Sequence, residues 1–301
     1  MAASLQRLSI LGTFFPIYRL IHKNSTVEHF HTFHTHRHYS GSSSLDRAED
    51  RPGLSHEDFS KWRNGGGVFH KSACIDRSVL IEIGSVVHSK AVLAANVIVG
   101  SGSVIGPDVT VGQLTKIGYN VALSNCSIGD SCIIHNGVCI GQDGFGFFVD
   151  DQGQMVKKPQ LLNARIGNHV EVGSNTCIDR GSWRDTVIGD HTKIDNLVQI
   201  GHNVIIGKSC MLCGQVGIAG SVTIGDYVSM GGRVAVRDHV SIASKVRLAA
   251  NSCVTKDISK HGDYGGFPAV RVIFMSLLLF GSIWVLKSKI VFWLSQSLHT
   301  S

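Results

Sequence analysis

The stretch IGDHTK-IDNLVQ-IGHNVI-IGKSCM-LCGQVG-IAGSVT, residues 188–223, has an aliphatic residue at every sixth position. A second column of small apolar residues lies two positions before the first. A six-residue period matches neither the 3.6 period of an α-helix nor the alternation of a simple strand. It is typical of a hexapeptide parallel β-helix, in which each hexad forms one short strand and one corner. The main column continues without a miss through Ile188, Ile194, Ile200, Ile206, Leu212, Ile218, Ile224, Met230, Val236, Ile242, Leu248 and Val254.

The same phase begins earlier in the chain, at Ile75, and holds its six-residue step to Leu123. The sequence therefore predicts an all-β fold, a left-handed parallel β-helix of roughly ten coils with aliphatic side chains stacked inside. Glycines such as Gly189 and Gly207 follow the column residues, where a Cβ would clash at the corner. The repeat is interrupted at 142–165 and again around 183–185. Insertions in a solenoid become loops on one face, so these two places are where binding is expected.

Three regions are expected along the chain. Residues 1–67 are predicted to be a transit peptide and linker, because 1–27 contain basic and apolar residues but no acid, as in a mitochondrial leader. Residues 68–268 form the β-helix domain. Residues 269–301 form an apolar tail, expected to be helical. Its longest apolar run, 272–286, is short for a bilayer span, so a buried or interfacial helix, a marginal membrane anchor and a variant terminus remain open.

Composition narrows the function classes. The net charge is +6, but no basic stripe interleaved with aromatic residues is present, which argues against nucleic-acid binding. The eight cysteines lie mostly at strand positions. Cys210 and Cys213 form one C-x-x-C pair, and because Cys210 falls in the inward column, packing is favoured over zinc or redox chemistry. No disulfide framework is implied, which favours a reducing compartment.

The densest polar stretch within the regular repeat is DNLVQIGHN, residues 195–203. His202 follows a corner glycine and is therefore expected outside the aliphatic prism. His239 lies 37 residues further on, close to two coils, which places both histidines on nearly the same edge. Two solvated surface histidines would produce the same spacing, so the pattern alone does not establish a site.

Four motifs carry a specific resemblance: DNLVQIGHN at 195–203, GQDGFGF at 141–147, KKPQ at 157–160 and IDRG at 178–181. Together they resemble the UDP-3-O-acylglucosamine N-acyltransferase family over about 68–268. Members of this family move a 3-hydroxyacyl chain from acyl carrier protein onto a sugar amine in lipid A biosynthesis. With the predicted leader, the resemblance implies a plant-like mitochondrial form.

The resemblance implies roles for individual residues. His202 is expected to take the proton of the attacking amine, which a base of near-neutral pKa suits. The amide of Gly220 is expected to stabilise the oxyanion, and His239 corresponds to a second functional histidine. The remaining expected substrate-binding residues are Asp195 (also a possible orienter of an imidazole), Asn196, Gln199 and Asn203 in the polar stretch, and Asp143, Phe145, Lys158 and Gln160 in the first insertion.

The resemblance also implies a homotrimer with sites between neighbouring prisms, a UDP-sugar acceptor, and a phosphopantetheine thioester on acyl carrier protein as donor, with no metal or other cofactor. Three alternatives remain open. A related O-acyl or acetyl transferase shares the scaffold but lacks the DGFG insertion. A γ-carbonic-anhydrase-like protein needs two zinc histidines five residues apart, and no histidine lies five residues from His202 or His239. A non-catalytic scaffold would use the polar edge to bind another protein.

Overall fold

The computed structural model describes residues 58–272, so the predicted leader and most of the apolar tail lie outside the described residues. The described part consists of short β-strands joined by tight corners. In chain order these are β1 Phe59–Lys61, β2 Val68–His70, β3 Cys74–Ile75, β4 Leu80–Ile81, β5 Val86–Val87, β6 Val92–Leu93, β7 Ile98–Val99, β8 Val104–Ile105, β9 Thr110–Val111, β10 Lys116–Ile117, β11 Ala122–Leu123, β12 Cys126–Ile128, β13 Ile133–Ile134, β14 Cys139–Gln142, β15 Phe147–Val149, β16 Met155–Lys157 and β17 Ala164–Ile166. The second half continues with β18 Glu171–Val172, β19 Cys177–Asp179, β20 Thr186–Ile188, β21 Lys193–Ile194, β22 Gln199–Ile200, β23 Ile205–Ile206, β24 Met211–Leu212, β25 Gly217–Ile218, β26 Thr223–Ile224, β27 Ser229–Met230, β28 Ala235–Val236, β29 Ser241–Ile242, β30 Val246–Leu248, β31 Cys253–Val254, β32 Gly262–Gly265 and β33 Val270–Arg271.

Three long sheets form the walls of a prism, and consecutive strands go to different walls. One sheet of 11 strands runs from β1 through β2, β5 and β8 to β31, a second of 11 from β4 to β33, and a third of 9 from β3 to β29. Within the regular coils each strand pairs in parallel with the strand 18 residues further on, as in Gln199 with Gly217. This is the predicted left-handed parallel β-helix, and the expected number of coils is confirmed.

The aliphatic columns line the interior as predicted. Ile81, Ile105, Ile140, Ile200 and Ile206 are among the largest fully buried side chains, and the buried set forms one continuous cluster from Val79 to Ile258. Each coil covers the apolar face of the next, so burial is shared by neighbours along the axis. Strand residues that alternate with the column face outward, which leaves each wall polar or mixed outside.

The corners use two different devices. One residue of nearly every hexad has a left-handed backbone, with φ between 45° and 62° at twenty non-glycine residues such as Asn96, Leu197 and Tyr227. This conformation is costly for a bulky side chain, but backbone bonds to the neighbouring coil hold it, as in Leu197 N–H to Ser174 O at 3.0 Å. The glycines after the column are needed for space, since a Cβ on Gly207 would lie 2.4 Å from Asp226 Oδ1.

Both predicted interruptions are loops. Between β14 and β17 the chain leaves the prism and forms an antiparallel hairpin of β15 and β16, with Phe147 opposite Lys157. The register across this insertion is 38 residues, from Ile140 to Ile178, instead of 18. The second insertion precedes β20 and lengthens the next step to 22, from Ile178 to Ile200. The hairpin is called the loop hairpin below.

The ordered chain extends past both ends of the predicted β-helix domain. The segment Phe59–Lys61, expected in the linker, pairs antiparallel with Val68–His70 and extends the first sheet. At the other end, Val270–Arg271, expected in the tail, pairs antiparallel with Tyr264 and Gly265. These antiparallel strands cover the open sheet edges that a parallel stack leaves at its termini. Within residues 58–272 no helix has the length and hydropathy needed to cross a membrane.

The cysteines follow the packing interpretation. All eight are unbonded, and Cys126, Cys132 and Cys210 are buried in the core. The thiol of Cys210 donates to the carbonyl of Gly225 at 3.2 Å, and burial raises its pKa. A buried thiol held in its neutral form is a poor nucleophile and metal ligand, so Cys210 fills space in the inward column.

The column model predicts a sharp contrast within one strand. Ile105 is fully buried and its neighbour Val104 is 39% exposed. We expect Ile105→Ala to lower the free energy of unfolding by about 2–5 kcal/mol, because it leaves a cavity between coils. Val104→Ala should cost less than about 1 kcal/mol, as expected for a largely exposed position. Denaturant unfolding of the two variants measures the difference, and equal losses would contradict the assignment of the inward face.

Candidate active site

His202 lies at a concave region that the regular coils and the first insertion form together. His202 follows β22 and the corner residue Gly201, so its side chain leaves the prism at an edge, as predicted. It borders a cavity of about 430 Å³. The cavity is lined by Asp143, Phe145, Asp179, Gln199, Gly201, His202, Ile218, Ala219 and Gly220. Five of the predicted site residues therefore meet in one place.

Two glycines hold the imidazole of His202 between them. A Cβ on Gly220, one coil further on, would lie 2.7 Å from His202 Cε1 and Nε2. A Cβ on Gly144, in the first insertion, would lie 2.6 Å from His202 Cβ and 2.8 Å from Cδ2. Real side chains do not tolerate such distances. The ring thus occupies a slot that exists only because both positions lack a side chain, and its Nε2 edge faces Gly220.

Asn203 fixes the orientation of this ring. It is fully buried, and its Nδ2 lies 2.8 Å from His202 Nδ1. Its Oδ1 accepts from the backbone N–H of Ser182 at 2.7 Å and of Trp183 at 3.3 Å, both in the second insertion. Asn203 is expected to bind the substrate, whereas in the structure its side chain lies behind the imidazole of His202. The second insertion therefore contacts His202 indirectly, through the side-chain amide of Asn203.

The surroundings favour the neutral form of His202. Burial is the main cause that lowers the pKa of its imidazole, and the positive charges of His239 and Lys158 lower this pKa further. A cation is disfavoured both by loss of water and by nearby like charge. At neutral pH the ring is consequently uncharged, which is the form that hydrogen-bonds without repelling a cationic ligand.

Asp179 is the most deeply buried carboxylate of this cavity, with 8% exposure. Its Oδ1 accepts from Gln142 Nε2 at 2.9 Å and from Gln199 Nε2 at 3.2 Å. No Lys, Arg or His nitrogen of residues 58–272 forms an ion pair with it. Burial raises the pKa of Asp179 against the lowering effect of the two amides, and nearby Asp143 raises it further.

The first insertion supplies the outer wall. Asp143 forms an ion pair with Lys157 and lies 3.9 Å from Arg180 Nη1. Phe145 is 87% exposed, and its ring centroid is 5.0 Å from that of Phe147. An exposed aromatic side chain beside a polar cavity offers apolar surface next to the site.

Lys158 and Gln160 follow the loop hairpin. Lys158 is exposed and close enough to lower the pKa of His202. Gln160 is buried and donates to the carbonyl of Lys158 at 3.1 Å, while its Oε1 has no partner. Gln160 is therefore placed to support the segment that carries Lys158 rather than to reach the cavity directly.

His239 lies on the same edge as His202, as predicted. Its backbone N–H donates to Gly220 O at 3.1 Å, and the Ser221 N–H donates to His202 O at 2.8 Å, so the two histidines are separated by one intervening corner. His239 is exposed and does not line the cavity, but its charge lowers the pKa of His202.

Asp195 and Asn196, predicted to line the pocket of His202, do not border its cavity within one chain. They border a different cavity of about 450 Å³, together with His135, Glu171 and Lys193. Asp195 Oδ1 accepts from the N–H of Asn196, and Asn196 Oδ1 accepts from the N–H of Ser174, so both stabilise a corner. The two residues and His202 follow different strands, β21 and β22, which belong to different walls of the prism, because each hexad takes the chain to the next wall. Within the chain the side chain hydrogen-bonded to the His202 ring is that of Asn203, and Asp195 bonds the Asn196 N–H instead.

Asp179, Gly144 and Ser182 are not among the site residues that the sequence predicts. Asp179 belongs to the IDRG motif. Successive coils place Asp179, Gly201 and Ala219 at the same position of the prism. A carboxylate at a position that holds glycine or alanine in the next two coils is a sequence signal that could have indicated a functional role for Asp179. The contacts of Gly144 and Ser182 depend on how the insertions fold, which no periodicity reveals. Among residues 58–272 no group of three His, Cys, Asp or Glu side chains is arranged to hold a metal ion.

Comparisons with known proteins give a consistent picture. Residues 185–220 match the family model for the bacterial transferase hexapeptide (six repeats). Over 216 residues the chain is 74% identical to the probable UDP-3-O-acylglucosamine N-acyltransferase 2, mitochondrial, of Arabidopsis thaliana, covering 72% of this chain and 71% of that protein. It is 57% identical over 142 residues to the UDP-3-O-acylglucosamine N-acyltransferase of Rhizobium meliloti, covering 47% of this chain and 40% of that protein. The chain thus spans less than half the length of this bacterial relative.

Solved structures agree on the architecture. LpxA from Acinetobacter baumannii matches with a TM-score of 0.54 and 28% identity over 67% of this chain and 72% of that chain. LpxA of Bacteroides fragilis, a UDP-N-acetylglucosamine acyltransferase, matches with a TM-score of 0.54 and 22% identity over 65% of this chain and 72% of that chain. At this identity the second match speaks for the fold only.

The slot around His202 predicts a contrast between two glycines. We expect Gly220→Ala to displace the imidazole, since the new Cβ would lie 2.7 Å from the ring. Gly217→Ala, three residues earlier, meets nothing within 4 Å and serves as the matched control. The imidazole NMR signals of His202 should shift in the first variant and stay in place in the second. An unmoved ring in Gly220→Ala would refute the slot.

The charge on Lys158 generates a second expectation. Lys158→Met should raise the pKa of His202, because it removes a cation that disfavours the protonated ring. Lys193→Met, at the other cavity, is the control and should leave the pKa unchanged. An NMR titration of the His202 ring measures both. A pKa that stays constant or falls in Lys158→Met would place this lysine away from the site.

Proposed function

Because the chain belongs to the UDP-3-O-acylglucosamine N-acyltransferase family, we propose that it transfers a 3-hydroxyacyl chain to the 2-amine of UDP-3-O-acylglucosamine in lipid A biosynthesis. Such a transfer joins an amine to the carbonyl carbon of a thioester and releases a thiol. It needs a path for the amine proton and donors for the oxyanion that forms on the carbonyl oxygen.

The observation that carries the proposal is the imidazole of His202 in its glycine slot beside Gly220. The Nε2 edge faces Gly220, and no described residue accepts a hydrogen bond from the Gly220 backbone N–H. A free amide N–H next to an oriented imidazole is an arrangement that stabilises a tetrahedral oxyanion. Both groups are fixed by the stack before any ligand arrives, so little reorganisation is needed during the reaction.

The proposed donor is the phosphopantetheine thioester of an acyl carrier protein, without a further cofactor. Phe145 offers an exposed ring for an acyl chain or for the uracil base, and Lys158 offers a cation for the diphosphate of the sugar nucleotide. Gln199 and Asp143 line the floor and wall of the same cavity. We propose that these side chains bind the acceptor, and that His239, on the same edge, contacts the donor arm.

We further propose a homotrimer with mitochondrial localisation. The cavity lies on an edge of the prism, where one chain encloses a ligand on one side only, and a neighbouring prism supplies a second wall. The acid-free composition of residues 1–27 supports import into mitochondria, and the Arabidopsis relative is named as mitochondrial. Contact of the apolar C-terminal segment with a membrane remains a proposal from composition alone.

The assignment is tested by the reaction itself. The full chain is incubated with 3-hydroxyacyl thioesters of acyl carrier protein and UDP-3-O-acylglucosamine, and the amide product is detected by mass. We expect product from the unmodified protein and a loss of about 10²-fold or more in His202→Ala. The variant should keep the trimeric mass and the unfolding midpoint, because the side chain lies outside the core.

Three outcomes contradict the proposal or one of its parts. Acylation of UDP-N-acetylglucosamine, or transfer from acetyl-coenzyme A in preference to the carrier protein, identifies a different hexapeptide transferase. Unchanged turnover in His202→Ala removes this residue from the chemistry. Stoichiometric zinc in the active protein points to hydratase chemistry instead.

A further inference from the structure

Two cysteines lie side by side on the outer face of the sheet that runs from β1 to β31. Cys139 begins β14 and Cys177 begins β19, and these parallel strands place the two residues directly opposite each other. The residues that follow them, Ile140 and Ile178, are fully buried inside the prism. Because successive strand residues point to opposite faces of a sheet, both cysteine side chains point outward. Both are half-buried and unbonded.

The two thiols are also in contact. Burial is the main cause that raises the pKa of Cys177, the negative charges of Cys139 and Asp179 raise it further, and a side-chain hydrogen bond with Cys139 adds to the effect. A hydrogen bond of this kind requires the two sulfur atoms to be neighbours. The thiols therefore form a pair on the wall of the prism, although the two residues lie far apart in sequence.

The geometry of this pair suits a covalent bond between the sulfurs. Parallel strands lie about 4.8 Å apart, and disulfides join residues whose Cα atoms are about 4.4–6.8 Å apart. Side chains of directly paired residues leave the sheet in the same direction, which brings the two sulfurs onto one side. The C-x-x-C pair lacks this arrangement, because Cys210 precedes β24 and is buried, whereas Cys213 follows β24 and is half-buried.

The pair adjoins the candidate active site. The next residue in its column is Gln199, which pairs with Cys177 and lines the cavity. Asp179, two residues after Cys177, lines the same cavity and accepts a hydrogen bond from Gln142 Nε2 at 2.9 Å. Gln142 ends the strand that Cys139 begins. The two strands that carry the thiols therefore also carry a hydrogen bond at the cavity.

A bond between the two sulfurs would enclose the whole loop hairpin. The chain between residues 139 and 177 contains β15, β16 and the exposed Phe145, which borders the cavity. The thiols lie on the strands before and after this segment. A cross-link at this place would join the two strands covalently and would hold the base of the segment that forms the outer wall of the cavity.

We propose that Cys139 and Cys177 form a redox-active dithiol, a modification site that a low-molecular-weight disulfide such as glutathione disulfide converts into one reversible intrachain disulfide bond. Disulfides that form in reducing compartments are mostly transient or redox-sensing, and the composition of the chain favours such a compartment. The pair rests as two thiols and responds to the thiol–disulfide balance at the edge of the cavity. The site is independent of the proposed acyl transfer, because it uses neither substrate.

The modification proceeds by two exchanges. The Cys139 thiol releases its proton to solvent, and its sulfur attacks one sulfur of glutathione disulfide, which breaks that S–S bond and releases one glutathione thiolate. The Cys177 thiol then loses its proton, attacks Cys139 Sγ and releases the second glutathione thiolate. The two thiolates take two protons from solvent, so two protein thiols are oxidised and one disulfide is reduced. Cys139 attacks first, because a thiol of raised pKa such as Cys177 is a slow nucleophile.

The test uses the full chain and needs no substrate. The reduced chain is equilibrated with glutathione and glutathione disulfide in graded ratios, free thiols are trapped with iodoacetamide, and peptide masses are measured. We expect the peptides of Cys139 and Cys177 to become joined without bound glutathione, and dithiothreitol to separate them again. Cys253 is the matched control, a half-buried cysteine of the same column that is paired with Ala235. It should form no intrachain bond.

Two variants identify the partners. Cys177→Ser leaves Cys139 without a resolving thiol, so one glutathione should stay bound to Cys139. Cys253→Ser should form the bond between Cys139 and Cys177 as the unmodified chain does. Three results would overturn the proposal: no bond at the most oxidising ratio, a stable glutathione adduct on Cys139 of the unmodified chain, or a bond from either residue to another cysteine.

Denaturant unfolding gives an independent measure of the same bond. The cross-link restricts the unfolded chain between residues 139 and 177, so the oxidised chain should unfold at a higher denaturant concentration than the reduced chain. Cys177→Ser should show no such shift between the two conditions. An oxidised chain that unfolds at the same or a lower concentration would show that the bond strains the wall, which contradicts a pair placed to form it.

Discussion

Pairing between coils fixes the neighbour of each residue in the regular solenoid at 18 positions along the chain. Parallel strands lie about 4.8 Å apart, so side chains in one column are always in contact. A large group is admitted only where the next coil leaves room. This constraint explains the unbroken aliphatic columns inside the prism. It explains equally why an imidazole at His202 requires glycine one coil above, at Gly220.

The same constraint shows why the fold could be predicted and part of the site could not. Residues six apart lie on different walls, and residues eighteen apart touch. His202 and Gly220 are one coil apart, so their contact follows from the period alone. Asp195 and Asn196 were grouped with His202 because they are close in sequence, yet a hexad had carried the chain around a corner to another cavity. In a solenoid, residues one coil apart are in contact, whereas residues only a few positions apart in sequence can lie on different walls.

The contacts made by the two insertions could not be predicted from the six-residue period. The sequence located both interruptions because the hexad step failed there, but a register of 38 or 22 residues says nothing about where the extra residues fold. Gly144 packs on one face of the imidazole, and Ser182 and Trp183 hold the carboxamide behind it. Each of these contacts joins an irregular segment to a regular coil, so its geometry depends on the loop conformation rather than on the repeat.

The two kinds of structure therefore contribute different things to the chemistry. The regular coils set the position of each functional group, and the insertions set the polarity of its hydrogen bonds. Since a backbone N–H donates only, the N–H groups of Ser182 and Trp183 hold the oxygen of the Asn203 carboxamide, and its NH₂ group lies beside His202 Nδ1. Burial has a cost at Asp179, because it raises the pKa of this carboxyl group and disfavours its charged form. A solenoid tolerates this locally, since each coil is also held by those on either side.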